Sequence, residues 1–333
     1  MFSPMQRPRG PVGVVLNANA GSMTPRLARA IRGVAGPEHV FFTESKDHAE
    51  EALRACVERE YPTVFAGGGD GTIVDAINTL ATLSGPKMPN VGVLRLGTGN
   101  ALARWLGSGH PVETLARYQR GETHQAVMVR MVTTGKALTP FLGLGHDAAV
   151  LNDYYRVKRA LAGTALAPLG HGLAGYFIAG LGITLPNFLT RQDALVTIIN
   201  MGSPARRIGL GGDEVGPEIP TGEVLYRGPI ATVGAATTPQ LGYGVRFFPH
   251  ALRRPGRFHL RAVALSPLGC VRAMPDAWRG TLHHPDVHDF YADRVRLIFS
   301  QPMAFQVAGD PAGFRDEVTF GLSENPVTFV GQA

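Results

Sequence analysis

Short apolar runs and helical spacing alternate over the first third of the chain. Val12-Gly13-Val14-Val15-Leu16, Thr63-Val64-Phe65 and Asn90-Val91-Gly92-Val93-Leu94-Arg95-Leu96 read as buried strands. A basic helix begins near Thr24-Pro25, and Ile73 to Leu80 and then Leu102, Trp105 and Leu106 carry apolar residues at helical spacing. Strands alternating with helices predict a parallel sheet. The second half reads differently. Ala194–Asn200, Val224–Tyr226, Pro229–Val233, Arg257–Val263, Arg294–Phe299 and Val318–Phe320 are short β-branched or alternating runs separated by Gly/Pro turns, the pattern of an antiparallel β-sandwich. Between the halves, Tyr154–Arg159 reads as a cationic, aromatic-bearing helix start. Gly163–Leu189 is then rich in Leu, Ala, Gly, Ile and Phe and almost uncharged. It is either a buried helix or an apolar flap that meets lipid.

The strand ends carry the chemistry. Thr63-Val64-Phe65 runs into Ala66-Gly67-Gly68-Gly69-Asp70-Gly71-Thr72. Glycine removes the Cβ that would block an anion, so successive N–H groups can converge on it, and a following helix N-terminus favours negative charge. A glycine cluster alone also suits a tight turn. The next strand, however, ends in a second one, Gly97-Thr98-Gly99-Asn100-Ala101-Leu102-Ala103-Arg104. Two such turns at successive strand ends predict a phosphate site at the carboxyl edge of a parallel sheet. Upstream, Asn17-Ala18-Asn19-Ala20-Gly21-Ser22 offers Asn17 and Ser22 to a nucleotide, or builds an Asx turn and a helix cap.

Leu16-Asn17-x-x-x-Gly21, Phe42-Thr43-Glu44 with His48-Ala49-Glu50, Gly68–Thr72 and Leu96–Ala103, in that order, resemble the diacylglycerol/sphingosine kinase superfamily. The match weakens beyond residue 107. Phe141–Ala148 resembles the family's glycine-x-glycine-phenylalanine-aspartate strand end. Phe248–Ala251 with Pro255–Phe258 resembles an alanine-proline and aspartate-glycine hairpin, and Gln306–Asp310 stands at its aspartate-glycine-glutamate motif. The resemblance implies an α/β N-terminal domain of NAD-kinase/phosphofructokinase type, a parallel sheet with glycine-rich phosphate loops over residues 1–131, with residues 320–333 returning to it. It further implies a β-sandwich lipid-substrate domain over 132–319.

Composition sets the frame for that reading. At 333 residues two domains are expected, and 17% charged against 44% hydrophobic residues implies extensive burial. No run reaches the roughly 20 apolar residues a bilayer span needs, and Met1–Pro11 lacks the apolar core of a signal peptide. Cys56 and Cys270 form no disulfide or metal pattern, so the cytoplasm is the expected compartment. A charge of +6, mostly from scattered arginines and without a nucleic-acid motif, favours peripheral contact with an anionic membrane over nucleic acid. A homodimer stays open.

A lipid kinase must hold the γ-phosphate of ATP, neutralise its charge with Mg²⁺, and deprotonate a hydroxyl. The resemblance places Asn17, Gly21, Thr43, Gly67, Gly68, Gly69, Gly71, Thr72, Gly97, Thr98, Gly99 and Asn100 around the nucleotide; Lys158, or an arginine beside it, is a candidate for further charge neutralisation or a structural helix cation. Asp70 is the first choice of general base, and its alternative is a cap on its own loop. Asp310 is the second, one methylene shorter than the family's glutamate, about 1.5 Å less reach. Asp75 and Asp147 are expected near the substrate. Residues 209–222 read as a glycine-rich loop insertion, whose Asp213, Glu214 and Glu218 are candidates for a hard cation, or simply solvated. Two departures stand out. Ala308 replaces the motif's aspartate, and Ala101 replaces the acid common in bacterial diacylglycerol kinases, which tilts the resemblance towards sphingoid or ceramide-like acceptors. NAD kinase, which shares Gly68–Thr72, and a nucleotide- or lipid-binding relative without turnover are the competing readings.

Overall fold

In the computed structural model, all residues except 1, 5–9, 98, 123, 136, 165, 167–171, 190–193 and 333 are described. The chain divides into two compact units. One comprises Met1–Met131, Gly242–Gly244 and Ser323–Ala333; the other comprises Val132–Leu241 and Val245–Leu322.

The first unit is a seven-stranded sheet. Its strands are β1 (Phe2–Pro4), β2 (Gly13–Asn17), β3 (Val40–Thr43), β4 (Thr63–Gly68), β5 (Asn90–Arg95), β6 (His124–Val129) and the last strand of the chain, β19 (Val327–Gln332), in the order β1-β6-β19-β5-β4-β2-β3. β2 to β5 and β19 run parallel, while β6 lies antiparallel to β19 and β1 antiparallel to β6. Among the described residues the unit's α-helices are α1 (Pro25–Ala35), α2 (Lys46–Glu58), α3 (Asp70–Ser84), α4 (Ala101–Trp105) and α5 (Pro111–Gln119).

Local chemistry explains where the helices start. Thr24, not Ser22, caps α1, its Oγ1 accepting from Leu27 N at 3.2 Å with Pro25 in the first turn. Ser45 caps α2 through His48 N at 3.1 Å. One face of the sheet buries Val12, Val14, Leu16, Phe65, Leu94 and Leu96 against Ile31 of α1 and Leu115 and Tyr118 of α5. On β2, a Cβ at Gly13 would sit 2.7 Å from the Cys56 sulfur, so this glycine lets α2 lie close to the strand.

The second unit opens with β7 (Val132–Thr134), β8 (Ala137–Thr139), β9 (Phe141–Gly145), α6 (His146–Leu161), α7 (Gly172–Ala179) and α8 (Leu185–Leu189). Then come β10 (Ala194–Asn200), β11 (Ala205–Ile208), β12 (Glu214–Ile219), β13 (Val224–Ile230), β14 (Thr232–Ala236), β15 (Phe258–Val263), α9 (Pro267–Arg279), β16 (Val287–Ala292), β17 (Arg294–Val307) and β18 (Asp310–Leu322). Every strand pairing here is antiparallel. β17 pairs β10 through Val295–Phe299 and β9 through Phe305–Val307, with register breaks between. A strand that changes partners across a bulge turns the sheet back on itself, and the apolar side chains of both layers meet in one core around Leu142, Ile198, Leu260, Phe290 and Leu297.

Several elements differ from the sequence expectation. Tyr154–Arg159 is the second half of α6, because the helix already begins at His146. The stretch 209–222 is not a loop insertion: Glu214–Ile219 is strand β12, paired with β11. β17 and β18 extend over 14 and 13 residues, far beyond the apolar runs that announced them, because their pairing breaks at Ser300-Gln301-Pro302 and resumes from Met303 opposite Arg315 to Val307 opposite Asp310.

Candidate active site

In the first unit the two glycine turns lie against each other. A Cβ on Gly97 would overlap the Gly69 Cα, and one on Gly68 would stand 2.6 Å from the Thr72 side chain. Gly67 has a packing reason instead, since a Cβ there would strike Leu16 and Leu96. Gly69 is the N-cap of α3, and Asp70, Gly71 and Thr72 form the helix's first turn. The opening N–H groups of a helix have no intrahelical partner, so this glycine-lined edge is built to receive an anion. Asn17 reaches in from β2. Its Nδ2 donates to Thr72 Oγ1 at 3.2 Å, while its Oδ1 accepts from Asn19 N at 2.9 Å in the Asx turn.

Asp70 is half-buried, and its Oδ1 accepts from Leu102 N at 3.3 Å, at the start of α4. A Cβ on Gly99 would stand 2.7 Å from Asp70 Oδ2, so that glycine leaves room for the carboxylate. Burial raises the Asp70 pKa, while the backbone N–H groups opening α4 and the Arg104 charge pull the other way. The result is a carboxylate more basic than usual beside a phosphate-sized cradle. Arg104, within the quoted turn, had no role assigned from sequence; its charge acts directly on Asp70.

Other expected nucleotide residues are occupied differently. Thr43 is buried, and its hydroxyl donates to Leu16 O at 3.2 Å, tying β3 to β2. Asn100 adopts a left-handed conformation (φ 50°) and closes its own loop, with Oδ1 accepting from Gly97 N at 3.0 Å and Nδ2 donating to Gly97 O. Gly21 is exposed with nothing near it, and Ser22 gives its backbone N–H to Leu96 O. Thr98 lies outside the described residues. Asp75 pairs with Lys46 at 2.9 Å, and five residues along the helix it is about 140° round from Asp70.

The remaining candidates fall in the second unit. Asp147 opens α6 and is held by Thr232 Oγ1, which donates to Oδ1 at 2.6 Å, and by Gln306 Nε2, which donates to Oδ2 at 3.2 Å. Gln306 Oε1 in turn accepts from Gly309 N at 2.8 Å. Desolvation raises the Asp147 pKa against those two hydrogen bonds. Ala308 and Gly309 form the two-residue β17–β18 turn with φ of 51° and 87°. That conformation favours Asn or Asp followed by Gly, so the position has a conformational role independent of any acid chemistry. Asp310 is exposed and accepts from Tyr155 Oη of α6 at 3.1 Å; Lys158 is half-buried one turn further along that helix. Tyr155, Thr232 and Gln306 became visible as partners only through strand pairing.

The three acids offered for a cation do not form a cluster. Glu214 and Glu218 both pair with Arg206, and Glu214 also with Arg254 at 3.0 Å. Asp213 gives its backbone carbonyl to Gly209 N in the β11–β12 turn. Among the described residues no group of three or more His, Cys, Asp or Glu side chains is placed to hold a metal. Burial pushes the Cys56 thiol up to about 12 and Cys270 to about 11, which removes both as nucleophiles near neutral pH.

Residues 11–131 match the family model described as the diacylglycerol kinase catalytic domain. Over that segment, a little more than a third of its length, the chain is similar to this family. "Diacylglycerol kinase 2" of Arabidopsis thaliana is 31% identical over 106 residues, 32% of this chain and 15% of the relative. "Probable lipid kinase YegS-like" of Yersinia pestis (strain Pestoides F) is 36% identical over 97 residues, 27% of this chain and 31% of the relative. The chain thus spans less than a third of either relative's length. The fold likeness extends further. A crystal structure of a diacylglycerol kinase from Bacillus anthracis str. Sterne superposes with a TM-score of 0.66 over 97% of both chains at 15% identity. The parallel sheet with glycine turns and the large antiparallel unit are therefore the fold of that group.

Proposed function

We propose that this protein is an ATP-dependent lipid kinase that transfers the γ-phosphate to a hydroxyl of a long-chain lipid. The observation that carries the proposal is the contact of Gly69 with Gly97 at the start of α3, with the Asp70 carboxylate beside it. Because the two backbones pack together without side chains, no Cβ stands over the helix N-terminus, and the opening N–H groups of α3 can take phosphate oxygens. ATP fits this cradle. Mg²⁺ arrives with the nucleotide and supplies charge neutralisation of the transferring group, as phosphoryl transfer requires.

Gly68 to Thr72 bind the phosphates through backbone N–H groups and the Thr72 hydroxyl, oriented by Asn17. Asp70 accepts the proton of the attacking hydroxyl. Burial raises its pKa and makes it a stronger base than an exposed carboxylate. Asp147, held by Thr232 and Gln306, orients the acceptor's polar head, and Asp310 with Lys158 adds charge control. The apolar segment 172–189 exposes Phe177, Ile178, Leu181 and Leu189 on α7, a π-helical turn (Gly180–Thr184) and α8. The adjoining end of α6 carries Arg156, Lys158 and Arg159. An apolar face beside a basic helix end suits peripheral contact with an anionic leaflet. Among the described residues no helix is long and apolar enough to cross a membrane.

The test is transfer of labelled γ-phosphate from MgATP to diacylglycerol, sphingosine, ceramide, phosphatidylglycerol and monoacylglycerol in mixed micelles, with NAD as a further acceptor. A labelled lipid is expected. Label on NAD alone would move the protein to the NAD kinases, and ATP binding without any transfer would mark it as a binding protein.

A further inference from the structure

The second unit contains a small cavity of about 70 Å³ at the N-terminal end of α6. Phe188, Ile230, Met303 and Phe314 line it with apolar surface, while His146 and Gln301 contribute polar groups. The His146 ring lies on Phe188, with ring centroids 3.7 Å apart, so one wall joins α6 to α8. Large apolar side chains are exposed beside this cavity: Phe314, which lines it, is 59% exposed, and Leu189, next to the lining residue Phe188, is 54% exposed. A large aromatic left in water beside a cavity marks a surface that meets another apolar phase.

Volume decides what the cavity takes. A water occupies about 30 Å³ of liquid and a methylene is of similar size, so 70 Å³ accepts only about two or three carbons. A full long-chain tail needs several times that space.

We propose that this cavity binds only the head-proximal carbons of a membrane-resident lipid, together with a polar atom facing His146 and Gln301. The exposed pair Leu189 and Phe314 forms a collar that rests in the bilayer interface, and the rest of the tail stays in the membrane. This rests on the lipid-kinase reading and adds a rule to it: the enzyme selects at the head group and is blind to chain length beyond the first few carbons.

Three measurements test it. The first compares kcat/KM of acceptors that share a head group but differ in acyl length beyond the first few carbons, each dissolved as monomers below its critical micelle concentration, so that every added methylene starts in water. A plateau is expected. A rise of about fourfold with each added methylene, the value of a fully enclosed carbon, would overturn the proposal while leaving the kinase intact. The second is Ala149→Leu, which fills the cavity from α6. It should lower kcat/KM for lipid about fourfold to fifteenfold, the value of one or two lost methylene contacts, with ATP affinity unchanged; an unchanged lipid kcat/KM would overturn the proposal. The third needs no turnover: the added fluorescence of Phe314→Trp should be quenched by vesicles carrying a nitroxide high in the acyl chain. If no acceptor is labelled, the kinase reading fails, and this quenching still decides the collar; vesicles that bind the protein without quenching it would refute the insertion.

Discussion

Replacing Gly97 by alanine tests the central geometric claim, that the two phosphate turns are stacked backbone on backbone. The new Cβ would overlap Gly69 Cα and lie 2.9 Å from Gly69 N and 3.2 Å from Gly68 O. Favourable carbon contacts lie at about 3.5–4.0 Å, and all three atoms are main chain, so no side chain can rotate out of the way. The turns must separate instead. Overpacking of this kind costs about 1–3 kcal/mol, which for a unit of this size lowers Tm by about 2–12 °C. A displacement of about 1 Å at the phosphates costs on the order of 100-fold in rate. Gly33→Ala is the matched control. Gly33 is exposed within α1, no atom lies near its missing Cβ, and the change should stabilise by about 0.5–1 kcal/mol. Thermal melts, ATP titration calorimetry and phosphate transfer on both variants read the outcome. A Gly97→Ala protein that melts and binds ATP like the parent would refute the stacking and remove the main support for a phosphate site.

Three further expectations follow from particular groups. Asp70→Asn keeps an oxygen to accept from Leu102 N, so fold and ATP affinity should persist while transfer falls by roughly 100-fold or more, the scale of a lost general base; equal rates in variant and parent would exclude Asp70 as the base. Thr184→Val removes the hydroxyl that donates to buried Asp153 at 2.7 Å, which should cost about 1–3 kcal/mol and speed amide exchange over residues 180–189, where unaltered exchange would show that this bond does not hold the segment. Stability should also fall with acid. His250 is buried with both ring nitrogens unpartnered and its pKa pushed down to about 4 by desolvation, and desolvation likewise lowers His259. His250 binds a proton less readily in the folded protein than in the unfolded chain, so the stability present above about pH 6.5 is lost as pH drops towards 4, by about 2 kcal/mol for His250 at pH 5, and the lowered His259 acts in the same direction. Urea unfolding at pH 7 and pH 5 measures this, and a flat profile would refute the burial.

Local sequence determined a good deal. Strand, glycine turn and helix over residues 63–80 and 90–105 could be read directly, because glycine, a following hydroxyl and helical apolar spacing act within a few residues of each other. The sites of Gly69 and Asp70 were visible for the same reason. What required the tertiary structure is everything built by pairing across long separations. Arg261, fully buried, holds Asp289 through Nε and Nη2 at 2.7 and 2.8 Å, and His259 adds a contact at 2.9 Å; nothing in residues 257–263 announces a buried cation. Thr232 and Gln306 converge on Asp147 from β14 and β17, 85 and 159 residues away. Arginines 206 and 254 claim the acids that looked like a cation loop, and Thr43 and Asn100 turn inward to hold their own backbones. Hydrogen bonds and charges are satisfied by whichever partner the fold brings near. Sequence therefore specifies which groups need a partner, and only the packed chain decides which partner each one meets.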